Sequence, residues 1–261
     1  MVILKDIYSS INNLANEQLA EKWDNVGILI GDENQTIKKI LICLDVTNDV
    51  VDEAVSKGVD LIIAHHPLIF KPIKKLNFNN FKNKIIRSII KNDISVIAAH
   101  TNLDSAKLGL NDYLAKLLKL ENTEVLIPNS LNHEEGLGRI GYLKNELPLN
   151  EFNNYVKKQL NLDFTRIVAK NKTQSIKRVA ILGGSGGSFI YDLPEVDVYL
   201  TGDIGYHEAV DALEMGISLI DIGHFAEKAS KELLREYLTT LEYTNLEIII
   251  SKVEKEPFEL G

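Results

Sequence analysis

The chain has 261 residues, 45% of them hydrophobic and 25% charged, which fits one large globular domain or two small lobes and excludes a disordered chain. Its 29 cations and 37 acids give a net charge of −8, which argues against a general nucleic-acid-binding surface and leaves only a local basic patch open. The first residues lack a basic, apolar leader, and no apolar run approaches the roughly 20 residues of a membrane span, so the expected setting is the cytoplasm without membrane contact.

Leu4, Ile7, Ile11 and Leu14 have the spacing of an amphipathic helix. The turn Trp23-Asp24-Asn25-Val26-Gly27 then leads into a short apolar strand, and burial against the core is the default role of Trp23, the single tryptophan. A strand over 39–44 ends at Asp45, and a helix over 48–57 has Asn48 as its candidate cap and Gly58 as its terminator. Cys43, the only cysteine, lies in that apolar strand and reads as a small buried side chain. The run Asp60-Leu61-Ile62-Ile63-Ala64 is a buried strand closed by His65-His66-Pro67 instead of ordinary turn residues. A helix over 81–91 and a strand over 95–99 follow, and the strand delivers His100-Thr101-Asn102-Leu103-Asp104. Strands alternating with helices imply right-handed crossovers and a parallel sheet, so Asp45, His65, His66 and His100 are expected along one carboxyl edge, where open α/β sheets bind ligands.

Beyond the helix over 110–120, the pattern is a strand at 138–143, a helix at 149–160 and a short strand at 164–168. A strand at 178–182 runs into Gly183-Gly184-Ser185-Gly186-Gly187-Ser188, which is either an anion cradle or a tight turn with close backbone packing. It has neither P-loop nor dinucleotide spacing. A strand at 196–200 leads to Thr201-Gly202-Asp203 and His207 at a helix start, and a strand at 218–222 leads to Gly223-His224-Phe225-Ala226-Glu227. A long helix to about Leu241 and a strand at 246–253 complete the chain. The expected fold is a parallel-sheet α/β core with a second, intertwined α/β lobe: lobe one at 1–125 with 218–261, lobe two at 126–217.

Five of the six histidines, His65, His66, His100, His207 and His224, stand at strand ends or at helix starts just after them; only His133 lies in an ordinary polar loop. Such clustering argues for a shared pocket. His224 and Glu227 are three apart and share a face, as His100 and Asp104 do if the turn between them is helical. Adjacent strand residues point to opposite sides, so His65 and His66 are expected not to grip one ion together, which favours two. Asp104 and Glu227 are available to bridge ions about 3.5–4 Å apart.

These motifs, from Trp23-Asp24-Asn25-Val26-Gly27 through Asp60 to Phe70, Ala99 to Asp104, Thr201-Gly202-Asp203 with His207, and Gly223 to Lys228, resemble those of the Nif-three-like dinuclear metal proteins, often labelled GTP cyclohydrolase 1 type 2 homologues. The resemblance implies that His65, His66, Asp104, His224 and Glu227 are metal ligands, with His100 and His207 lining the same cavity as proton-transfer or ligand-orienting groups. It also implies a toroidal homohexamer and, at this length, the short form without the ferredoxin-like domain inserted in longer members. The expected cofactors are two divalent ions per subunit, of zinc, iron, manganese or nickel. Two functions are open. One is a two-metal hydrolase acting on a nucleotide-like, cyclic amide or phosphoester small molecule, with His207 and His100 as catalytic candidates; the other is a non-catalytic metal-binding scaffold or delivery protein.

Overall fold

A computed structural model describes residues 1–130 and 132–259. In chain order the elements are α1 (Leu4–Leu14), β1 (Gly27–Ile30), β2 (Lys39–Cys43), α2 (Asn48–Ser56), β3 (Leu61–Ala64), α3 (Phe81–Lys91), β4 (Ser95–Ala98), α4 (Thr101–Ser105) and α5 (Leu110–Leu117). There follow β5 (Glu121–Pro128), β6 (Gly136–Pro148), α6 (Leu149–Gln159), β7 (Arg166–Val168), β8 (Ser175–Ser185), β9 (Val198–Gly202), α7 (Tyr206–Met215), β10 (Leu219–Asp221), α8 (Ala229–Thr240) and β11 (Glu247–Ile250). No helix among the described residues is long and apolar enough to cross a membrane.

The chain forms two compact units. The first comprises Met1–Ala106 and Ser230–Pro257. Its sheet has the order β1-β4-β3-β2-β11, with β11, β2, β3 and β4 parallel and β1 antiparallel on β4. Every residue of β3 and β4 is buried, which is what a parallel strand covered on both faces requires. On one face Leu41, Cys43, Ile62, Ala64 and Val96 pack with Val50, Val51 and Ala54 of α2 and Ile85, Ile86 and Ile89 of α3. Burial pushes the Cys43 thiol up, so it stays protonated within this core. The cap of α2 is Thr47, whose side chain accepts from Val50 N, and not Asn48, which is already the first helical residue.

The second unit comprises Lys107–Ala229 and Phe258–Gly261. Its sheet has the order β5-β6-β8-β9-β10-β7; β8, β9 and β10 run parallel, and the other pairings are antiparallel. The chain divides at Ala106 and Ala229 where the sequence pattern places boundaries near 125 and 217. The physical reason is packing inside the second unit: α5 lies against β6 and β8, and β10 is hydrogen-bonded to β9 and β7. Arg139 of β6 fastens α5, its Nε and Nη2 donating to the two Asp112 carboxylate oxygens at 2.7 and 2.8 Å while Nη1 donates to the Gly136 and Gly138 carbonyls.

Candidate metal centre

In the first unit the parallel strands end side by side, and their carboxyl ends bring Asp45, His65, His66 and His100 to one edge. The β3 strand stops at Ala64, so His65 and His66 lie in a bend and escape strand alternation. Their rings are therefore not forced to opposite faces, and the two lie 5.1 Å apart between centroids. Ligand atoms of His65, His66 and His100 lie within 4.8 Å of one another, a group able to hold a metal ion. Asp104 joins them, with Oδ1 3.6 Å from His65 Nε2, both side chains being nearly inaccessible to water.

Each imidazole is oriented through its Nδ1. His65 Nδ1 lies 2.8 Å from the Ala99 carbonyl, His66 Nδ1 2.9 Å from Asp45 Oδ1, and His100 Nδ1 2.9 Å from Asp24 Oδ1. A carbonyl or an ionised carboxylate can only accept, so Nδ1 donates in all three and the ring lone pair sits on Nε2. This is how histidines are held in metal sites, where the partner fixes tautomer and ring orientation.

The His-Thr-Asn-Leu-Asp block builds its own turn. Asn102 Oδ1 accepts from His100 N, Asn102 Nδ2 donates to the Ala15 carbonyl, and Thr101 Oγ1 donates to Asp24 Oδ2. Asp104 N donates to the His100 carbonyl, which closes the helical turn of α4 and presents Asp104 four residues after His100. Burial pushes the Asp24 carboxyl up, but the hydrogen bonds from His100 and Thr101 outweigh it and hold the pKa at about 2. Burial pulls His100 down; the Asp24 bond opposes this and the neighbouring His65 and His66 add to it, so the neutral ring that can act as ligand or base is favoured.

In the second unit, His224 and Glu227 occupy the short 3-10 turn His224–Lys228 after β10. His224 Nε2 lies 3.2 Å from Glu227 Oε2, and its Nδ1 lies 2.7 Å from Asp203 Oδ2, the same arrangement as in the first unit. The glycine run seats Glu227: a Cβ on Gly184 would come within 2.5 Å of Glu227 Oε1, and Gly184 has φ +69°. Gly183 N and Gly186 N donate to Asn111 Oδ1 and Thr201 Oγ1. Close packing therefore accounts for this run, Gly183 and Gly184 lying against Glu227, Gly186 against Thr201 and Tyr199, and Gly187 against Glu208, with two of its N–H groups already used. His207 stands exposed in the first turn of α7, edge-on to Tyr206 at 5.4 Å between ring centroids.

Residue chemistry alone gave no role to Asp24 or Glu254, and it placed Asp45 at the edge without its partner. Glu254 Oε1 accepts from Leu44 N and Asp45 N, both at 2.8 Å, and its other oxygen takes Lys231 Nζ, so a residue near the chain's end fixes the turn that carries Asp45 to His66. Trp23 is also a correction: the residue is 59% exposed.

A family model described as DUF34/NIF3 (NGG1p interacting factor 3) matches residues 2–257. The chain belongs to this family. A Clostridium perfringens relative named "GTP cyclohydrolase 1 type 2 homolog" is 37% identical over 98% of both chains. A Bacillus subtilis relative of the same name is 30% identical over 92% of this chain and 93% of its own. That alignment spans 349 positions, more than the 261 residues here, so the relative carries residues that this NIF3-family chain lacks. Among solved structures, the Staphylococcus aureus protein SA1388 superposes with a TM-score of 0.93 at 34% identity, covering 99% of each chain. Reduced HcgD from Methanocaldococcus jannaschii superposes with a TM-score of 0.83 at 32% identity, covering 96% of this chain and 98% of its own.

Proposed function

We propose that this NIF3-family chain is a metal-dependent hydrolase holding two divalent ions, with His65, His66, Asp104, His224 and Glu227 as ligands. The observation that carries the reading is the common anchoring of four imidazoles. His65, His66, His100 and His224 each have an acceptor on Nδ1 and so offer Nε2. The donor set fits zinc, iron, manganese or nickel, since neutral imidazoles with carboxylates suit all four. Bound divalent ions would supply the Lewis acidity that makes water a nucleophile near neutral pH.

The chain's own groups supply the rest. Asp104 and Glu227 bring negative charge that offsets the cations, and both are buried, which limits competing hydration. His100, kept neutral and aimed by Asp24, is a base for a proton on attacking water. His207, exposed at the start of α7, is the candidate donor to a leaving group. The substrate class is a nucleotide-like, cyclic amide or phosphoester small molecule, in keeping with the relatives' name, and the assembly is a homohexamer.

The test is metal analysis of protein purified without chelator, followed by a turnover screen with GTP, nucleoside phosphates, cyclic amides and phosphodiesters. About two ions per chain are expected, at least one lost in His65→Ala, with turnover lost in Glu227→Ala and in a His207→Ala protein that keeps its metal. Equal trace metal in wild type and His65→Ala would end the metal reading. Full metal with no turnover above the metal-free protein would favour the metal-delivery or scaffold reading. Light scattering reads the hexamer.

A further inference from the structure

Trp23 is the largest apolar side chain in the protein and more than half of it faces water, although its neighbours in sequence are held firmly. Asp24, with a side chain of 0% exposure, is fixed by His100 and Thr101. Asn25 Nδ2 donates to the Ile69 carbonyl, which ties the Trp23 turn to the residue before Phe70. Phe70 is itself 39% exposed. The two rings therefore stand at a set separation, centroids 5.7 Å apart with planes tilted by 59°. Trp23 also meets His100 edge-on at 6.3 Å, and His100 in turn is 5.5 Å from His66. An indole thus sits against the histidine cluster itself.

A tilted pair of this kind makes a two-walled corner. A flat ring can stack on one wall while its edge meets the face of the other, the two arrangements aromatic rings prefer. The corner is built in advance by the Asp24 and Asn25 hydrogen bonds, so a ligand would meet it without ordering cost. Charge narrows the class further. From Pro67 to Asn92 the chain carries seven cations, Lys71 next to Phe70 among them, and no carboxylate, in a protein of net charge −8. Of these, Lys71 follows Phe70 directly, and a cation beside the corner would complement an anionic ligand.

We infer that Trp23 and Phe70 form the ring-binding wall of the substrate site, taking the planar heteroaromatic ring of an anionic, nucleotide-like small molecule and holding it beside His100. The inference rests on the hydrolase reading for what happens to the ligand, but binding at the corner is measurable without turnover.

Trp23 is the only tryptophan, so its fluorescence reports this corner directly. Metal-loaded wild type is titrated with guanosine 5′-monophosphate, adenosine 5′-monophosphate and ribose 5-phosphate, with calorimetry on Trp23→Leu and Trp23→Phe and metal analysis of every sample. Saturable quenching by the two nucleotides and none by the sugar phosphate is expected. Trp23→Leu should weaken nucleotide binding about 5- to 150-fold, the range for losing one base-aromatic stack, and Trp23→Phe should recover part of it with metal content unchanged. Absence of saturable quenching, equal affinity of Trp23→Leu, or equal competition by ribose 5-phosphate overturns the assignment. So does an indole shielded from acrylamide at every protein concentration, which would put a second copy over the ring. A wild type without metal would end the hydrolase reading separately, while the quenching would still decide the ring wall.

Discussion

Replacing Gly184 by alanine tests whether Gly184 is needed to seat Glu227. Two costs follow from the geometry. Gly184 has φ +69°, where a Cβ costs about 1–2 kcal/mol of backbone strain. The added Cβ would also lie 2.5 Å from Glu227 Oε1 and 3.2 Å from its Cδ, so the carboxylate must be displaced. Gly216 separates the two effects. It also has a left-handed φ, +77°, but a Cβ there meets nothing within 4 Å, so Gly216→Ala carries the strain alone. Urea unfolding of chelator-treated protein should show both variants about 1–2 kcal/mol less stable than wild type, with any excess in Gly184→Ala due to the contact. Metal titration should then divide them: Gly216→Ala keeps wild-type affinity, and Gly184→Ala loses about 10- to 100-fold, the usual cost of disturbing what orients a ligand. If Gly184→Ala binds metal as tightly as Gly216→Ala, Glu227 is not a ligand whose position Gly184 controls, and the assignment in the second unit fails.

Two further outcomes follow from the same reasoning. Asp24→Asn should cost about 1.5–3 kcal/mol at pH 7, because bonds to a buried ionised carboxylate are lost; the depressed pKa of about 2 gives stability that is full above the unfolded value of 3.8 and lost as pH falls through about 2. In chelator-treated protein the gap between variant and wild type should therefore shrink between about pH 4 and pH 2, and a gap independent of pH would contradict the hydrogen-bond account. Arg139→Met, which leaves Asp112 without its bidentate partner, should destabilise the protein by about 3–5 kcal/mol in thermal or urea unfolding; a loss under about 1 kcal/mol would show that α5 is fastened by packing alone.

Local periodicity is enough to determine much of the fold. The helices Leu4–Leu14 and Phe81–Lys91 are legible because their apolar residues repeat every three or four positions and nearby polar residues or turns close them. The strand ends that deliver His65, His66 and His100 are legible because a buried apolar run that stops in histidines breaks the ordinary rule for turns. The motif blocks also carry the family resemblance, which the NIF3 match over residues 2–257 shows. Three things were decided only by the tertiary structure. The extent of each compact unit depends on which sheet α5 and β10 join, a long-range pairing with no local signature. The closeness of the His65 and His66 rings depends on where β3 stops, since a strand one residue longer would send them to opposite faces. The outward position of Trp23 goes with the bonds its neighbours make, Asp24 accepting from His100 76 positions away and Asn25 donating to Ile69 44 positions away, against the ordinary tendency of an indole to be buried. Partners so distant in sequence are chosen by the folded chain, because a carboxylate or amide gives no local sign of which imidazole or carbonyl it will meet.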